Sequence, residues 1–251
     1  MHILWRMDSG LYAAATALVS RTQELDTIAN NLANASTSGY RAEKDVFSSV
    51  LADAGNPAAS PLNQAMNDYG ILSGTTLDQS QGALQKTGNN LDVAIQGPGY
   101  FVVQTANGPA YTRNGSFQVS SNGQLVTSTG DAVMGDNGPI TVLPGSTSIS
   151  ADGTISSNGA VAGKLKIVEF PPTTELTSLG NASYSAPANT AVASTHSDVR
   201  QGMLESSNVN PIMAMAQLVT AQRSAEMMQR ALSMFNSEID KTATQDLPRV
   251  G

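Results

Sequence analysis

The chain has 251 residues, 40% of them hydrophobic and 13% charged, with a net charge of −7 and no cysteine. That is enough apolar material for a real core, and the acidic balance without any long basic run removes the electrostatic footing that nucleic acid requires. Disulfides and thiolate metal sites are excluded, while a surface with so few charges is poorly guarded against self-association.

Near the start, Leu11, Leu18, Leu25 and Leu32 stand seven residues apart, with Ala14 and Ile28 between them and Arg21 as the one interruption. This spacing predicts a helix with a heptad seam. Asp8 or Ser9 as the cap and Gly39 as the exit bound it to about residues 10–34. The apolar run from Leu11 to Val19 is too short to cross a bilayer. Because its spacing continues past Ser20, it reads as part of an amphipathic helix and not as a cleavable leader. The first helical domain is expected over residues 1–50, followed by an Ala/Ser/Asn/Pro-rich connector over 51–80.

From residue 81 to 170 the pattern changes to short apolar runs separated by Asn107-Gly108, Asn114-Gly115, Asn122-Gly123, Asn137-Gly138, Asp152-Gly153 and Asn158-Gly159. Such pairs tolerate the positive φ of tight hairpins, so an antiparallel β domain is predicted here. Residues 171–204, rich in Ser, Thr, Asn and Pro, read as an extended arm. The chain then closes with a second helix from Asn210 and Pro211 to about Lys241, Asn capping and Pro occupying the first helical position. Its seam is Ala214, Leu218, Ala221, Ala225, Met228, Leu232, Phe235 and Ile239, in steps of four and three. The predicted fold class is therefore α+β: terminal helices pairing as a coiled-coil-like stalk, from 1–50 and 205–251, around a central all-β domain.

Catalytic chemistry is hard to find. His2 and His196 lack ligand spacing. In His196-Ser197-Asp198 adjacent side chains point apart and cannot converge as a hydrolytic triad must. Gly97-Pro98-Gly99 has neither the third glycine nor the helix of a dinucleotide site, so it reads as a strand-to-strand turn. Arg113 is expected either as a solvated hairpin charge or oriented on Asp92, and Arg223 with Glu226 as a local helical ion pair. No catalytic, cofactor or metal residue is expected, and neither a small-molecule substrate nor membrane insertion.

Three separated blocks carry a resemblance. The first is Ala29-Asn30-Asn31-Leu32-Ala33-Asn34 with Thr37, Gly39 and Tyr40. The second is Gly82-Ala83-Leu84, Thr87-Gly88-Asn89, Leu91-Asp92-Val93-Ala94-Ile95, Gly97, Gly99-Tyr100-Phe101 and Tyr111-Thr112-Arg113-Asn114-Gly115-Ser116-Phe117. The third is Gln201-Gly202, Leu204-Glu205, Ser207-Asn208-Val209-Asn210-Pro211, Ala221-Gln222-Arg223 and Glu226. Together they resemble the flagellar rod and hook axial proteins, with the length and the lead into Gly82 more similar to a proximal than to a distal rod subunit. Asn90 and Ala225 depart from the family's usual Pro and aromatic residue, and the family's pattern begins at Met7.

The resemblance implies a structural subunit exported by the flagellar type III apparatus without a cleaved signal peptide. Its partners would be copies of itself and other rod subunits, in a helical assembly crossing the periplasm. Leu11, Leu18, Leu25, Ile28, Asn30, Asn31, Leu32, Asn34, Leu218, Ala221, Ala225, Met228, Leu232, Phe235 and Ile239 would then make assembly contacts. Gly39, Tyr40, Asp92, Gly97, Phe101, Thr112, Arg113, Gly115, Phe117, Asn208, Asn210 and Pro211 would shape the motifs. The alternatives are a distal rod or hook-type subunit and, from a different class, a secreted β-rich binding module on a helical stalk.

Overall fold

In the computed structural model, which describes residues 2–48 and 71–245, two helices at the chain ends bracket nineteen short strands. Helix α1 spans His2–Ala33, eight residues earlier than the sequence predicts. Ser9 and Gly10 weaken a helix by only about 1 kcal/mol each or less, so with no proline to break it the chain stays helical through both. Its end agrees with expectation: Thr37 N–H donates to the Asn34 carbonyl at 3.0 Å, and Gly39 takes φ 71°. Strands β1 (Glu43–Ser48) and β2 (Ile71–Leu77) then pair with each other. The end of the expected connector is thus a strand, while residues 51–70 lie outside the described residues.

Next come β3 (Leu84–Lys86), β4 (Val93–Gln96), β5 (Tyr100–Thr105), β6 (Gly108–Thr112), β7 (Gln118–Val119), β8 (Leu125–Val126), β9 (Ala132–Gly135) and β10 (Gly138–Pro139). Strand β5 is the centre: all of Tyr100, Phe101, Val102 and Val103 are buried, because alternate side chains of one strand serve opposite faces. Phe101 and Val103 enter one core with Val93, Ile95, Phe117, Leu125, Val133 and Ile155. Tyr100 and Val102 enter another with Val168, Phe170, Leu176 and Tyr184.

Five of the six predicted turn pairs do close hairpins. One lies between β11 (Thr147–Ile149) and β12 (Thr154–Ser157), and another between β12 and β13 (Ala160–Lys164). At the latter, Asn158 and Gly159 both adopt positive φ, 49° and 81°, as a type I′ turn demands. The exception is Asn114-Gly115. There Gly115 lies so close to β4 that a Cβ would meet the Val93 carbonyl oxygen at 1.7 Å, and its own carbonyl accepts the Val93 N–H.

The expected arm over 171–204 is instead part of the β structure. After β14 (Ile167–Glu169), this stretch supplies β15 (Thr177–Gly180), β16 (Ser183–Ser185), β17 (Val192–Ala193), β18 (Asp198–Gln201) and the start of β19 (Met203–Glu205). In the main sheet, ordered β15-β16-β6-β5-β9-β8-β7, strand β6 lies along one edge of β5 while β9 and β14 share the other. Strand β18 pairs with β4, and β19 with β3. The segment lacks an apolar rhythm because its bonding is mostly backbone ladder, Ser183 opposite Thr112 and Arg200 opposite Ala94.

Helix α2 runs Pro211–Gln245. The described chain forms two compact units. One contains residues 2–32, 44–48, 71–75 and 211–245; within it Thr27 Oγ1 donates to Asp45 Oδ1 at 2.9 Å. The other contains residues 33–43 and 76–210 and is the β unit.

Candidate functional site

The β unit is fastened where its four chain segments meet. Gly39 starts the arrangement: a Cβ on it would lie 2.3 Å from the Asn114 nitrogen, so only glycine allows residues 37–42 to lie this close to the end of β6. Its N–H donates to the Glu205 carbonyl at 2.8 Å. Two residues on, Arg41 carries its side chain fully inside, and its own N–H donates to the Tyr184 hydroxyl at 2.8 Å.

Glu205, at the end of β19, receives both arginines. Its Oε1 lies 2.8 Å from Arg41 Nη1 and accepts the Gly82 N–H at 2.9 Å, while Oε2 accepts from Arg113 Nη1 at 3.2 Å. Arg41 Nη1 also donates to the Ser80 carbonyl. Arg113 donates through Nη2 to the Gly97 carbonyl at 2.5 Å, and its guanidinium sits 5.0 Å from the centre of the Tyr100 ring, a cation–π contact. Burial holds the Arg113 pKa below the ordinary arginine range; Glu205 pulls it back up and Arg41 pushes it down. Breaking such a buried cluster by deleting one partner leaves an uncompensated charge, which is why its integrity matters more than its net worth.

Asn208 closes the ring. Its Oδ1 accepts the Ala42 N–H at 2.7 Å and its Nδ2 donates to the carbonyls of Asp78 and Ser80 at 2.9 and 3.0 Å. Nearby Tyr40, 4% exposed, has its pKa pushed up to about 12 by burial and by Glu43. Burial likewise drives the Tyr184 hydroxyl well above the usual tyrosine range.

Several predicted residues meet here or support the site. Gly39, Tyr40, Arg113 and Asn208 belong to it directly. Gly97 supplies a carbonyl. Thr112 donates to the Ala182 carbonyl at 2.6 Å and accepts the Asn114 N–H, holding the end of β6. Phe101 and Phe117 pack edge to face, centroids 5.1 Å apart, in the core beneath. Arg113 is neither solvated nor on Asp92: Asp92 receives Asn89 Nδ2 at 3.0 Å, while the Arg113 side chain follows the Ile95 and Gly97 carbonyls to Glu205.

The helical residues divide by face. Along α1 Ile28 is buried, Leu18, Leu25, Leu32, Asn31 and Asn34 are half-buried, and Asn30 is exposed; Asn34 Oδ1 accepts from Thr37 Oγ1. Along α2, which Pro211 opens directly after Asn210, Ala221 and Ala225 are buried and Leu218, Met228 and Leu232 half-buried. The opposite face leaves Met227 and Met234 63% and 67% exposed. The side chains of Leu11, Phe235 and Ile239 lie outside the described residues. Glu226 pairs with Arg230 at 3.8 Å and not with Arg223, the i,i+4 spacing being the alternative helical geometry.

Arg41 and Glu205 are the residues that reading the sequence left without a role. The one local signal was position: Glu205 lies inside the third motif block and Arg41 directly follows Tyr40, the last residue of the first. Chemically the cluster is a fastening: its carboxylate accepts from three donors and is closed to solvent. The Ser197 hydroxyl accepts the Gly99 N–H and bonds Glu169, not His196, so the His196-Ser197-Asp198 stretch has no relay geometry.

Three family models match the chain: a flagella basal body rod protein model over residues 11–41, the D1 domain of the flagellar hook protein FlgE/F/G over 94–162, and the flagellar basal body rod FlgEFG protein C-terminal model over 200–245. The flagellar basal-body rod protein FlgF of Caulobacter vibrioides is 32% identical, covering 97% of this chain and all of the relative. FlgF of Salmonella typhimurium is 36% identical, covering 90% and 94%. The rod protein FlgG of Bacillus subtilis is 33% identical, covering 85% and 89%.

Proposed function

Because the chain belongs to the flagellar basal-body rod protein family, and is a structural subunit of the rod and not an enzyme, we propose that it builds the shaft through two distinct layers. The helical layer is made by α1 and α2, whose seams pair as a coiled coil and are completed by neighbouring copies and other rod subunits. The β unit braces adjacent subunits further along the chain's middle. Torque passes through packed helices, and a head-to-tail contact that does not close on itself generates the open helical shaft.

The observation that carries this reading is the division of α2 into a covered Ala221/Ala225 seam and an exposed Met227/Met234 face. One intramolecular partner covers one stripe; a helix with apolar residues on its other face has further surface to bury. The half-buried asparagines at the end of α1, Asn31 and Asn34, add polar contacts to neighbours. The subunit travels through the flagellar export apparatus with its first helix uncleaved and takes its place in the part of the rod that crosses the periplasm.

The test is complementation of a deletion strain with the chain carrying Leu18→Asp together with Leu232→Asp. Export without rod assembly and without swimming is expected. Normal basal bodies imaged in that strain would reject the role of the seams.

A further inference from the structure

Methionine is concentrated in one place: five of the ten in the chain fall within residues 213–234 of α2. Among the described side chains every exposed methionine lies there, Met213, Met215, Met227 and Met234, whereas Met228 on the same helix and Met134 and Met203 in the β unit are half-buried. Met227 and Met234 are seven residues apart and so lie on one side of the helix, turned away from Ala221 and Ala225. Leucine there would supply a similar apolar surface with equal helix preference. What the thioether adds is reactivity: its sulfur takes up an oxygen atom, and the resulting sulfoxide is polar where the thioether is apolar.

We propose that Met227 and Met234 form an oxidation site at which a peroxide makes the unassembled subunit incompetent to assemble. At each sulfur the O–O bond of hydrogen peroxide breaks; one oxygen becomes bonded to sulfur and the other leaves as water, so the sulfur loses two electrons and the peroxide gains them. Two sulfoxides then stand where the face was apolar. The inference rests on that face meeting a neighbouring subunit, as proposed above, and adds that the contact is open to chemistry before it forms and shielded from it afterwards. A methionine sulfoxide reductase, using two electrons from thiols and releasing the oxygen as water, restores the thioether.

The first test treats the full-length monomer with a limiting dose of hydrogen peroxide and reads each methionine by peptide mass spectrometry. Sulfoxide should form at Met227 and Met234 roughly ten times faster than at Met134 and Met228, and equal rates would overturn the site. The second places the chain in a deletion strain. With Met227→Leu and Met234→Leu, which keep the face apolar but leave no sulfur to oxidise, basal bodies should still be built at a peroxide dose that stops the unaltered chain from building them. If both chains stop at the same dose, oxidation of these two residues is not what blocks assembly and the proposal falls. Swimming by a strain carrying Met227→Asp and Met234→Asp would instead remove the neighbour contact itself, and the oxidation block with it.

Discussion

The backbone N–H of Gly39 and the carbonyl of Glu205 are 2.8 Å apart, so the segment that leaves the first helix and the segment that leads to the last are hydrogen-bonded to each other inside the β unit. The Glu205 side chain repeats the connection through Arg41, on the same segment as Gly39, and extends it to Arg113 at the end of β6. One residue thus joins three parts of the chain that are far apart in sequence. The β unit depends on both of its ends for its own closure.

Glu205→Gln follows from this directly. It keeps the size of the side chain but removes the charge that two buried guanidiniums share, and loss of one partner of a buried ionic cluster costs about 3–5 kcal/mol. Urea unfolding should show a midpoint lowered accordingly. Glu226→Gln, whose partner Arg230 is an exposed i,i+4 neighbour, should leave the midpoint unchanged; equal effects from both would contradict the account of the buried cluster.

At Gly39 two obstacles coincide, a φ of 71° and a backbone atom 2.3 Å from where a Cβ would sit. Gly39→Ala should destabilise the chain by about 2 kcal/mol or more. Gly39→Asn separates the causes, since asparagine tolerates the left-handed conformation. Failure of asparagine to recover stability would show that the approach to Asn114 dominates, and recovery would show that the dihedral does.

Alkaline pH should weaken the fold through Tyr40 and Tyr184. Both are raised in the folded state, Tyr40 to about 12, so the unfolded chain releases their protons first as pH climbs past about 10. In that window the folded state binds more protons than the unfolded one, and stability falls with rising pH. Unfolding midpoints measured between pH 8 and 12 should decline from about pH 10, and Tyr40→Phe should flatten part of the decline.

Met227→Asp together with Met234→Asp probes the outer face of α2. Both side chains are more than 60% exposed, so the dilute monomer should keep its stability to within about 0.5 kcal/mol. If that face meets neighbouring subunits, the same chain should fail to restore swimming to a deletion strain. Full motility would show that these methionines face solvent in the rod.

Much of this protein was legible from its residues in order. The seams of both helices have a local period, and Ala221 and Ala225 turn out buried where the steps of four and three put them. Asparagine– and aspartate–glycine pairs announce hairpins because the conformation they permit is a property of two adjacent residues. Composition and motif blocks together pointed to a structural, self-associating subunit. Strand β15 was invisible for the opposite reason: every residue of it is exposed, so there is no apolar alternation to read, and only the neighbouring strands make it a strand.

The arginine–glutamate cluster belonged wholly to the tertiary structure. Arg113 has Asp92 as a plausible carboxylate in the sequence, yet a buried guanidinium goes to whichever carboxylate the sheet brings within reach, and here β19 delivers Glu205. The choice between them rests on strand pairing between distant segments, β19 with β3 and β18 with β4, which leaves no spacing in the chain. Periodicity specifies elements one at a time; partners for buried charges are selected only when those elements have packed.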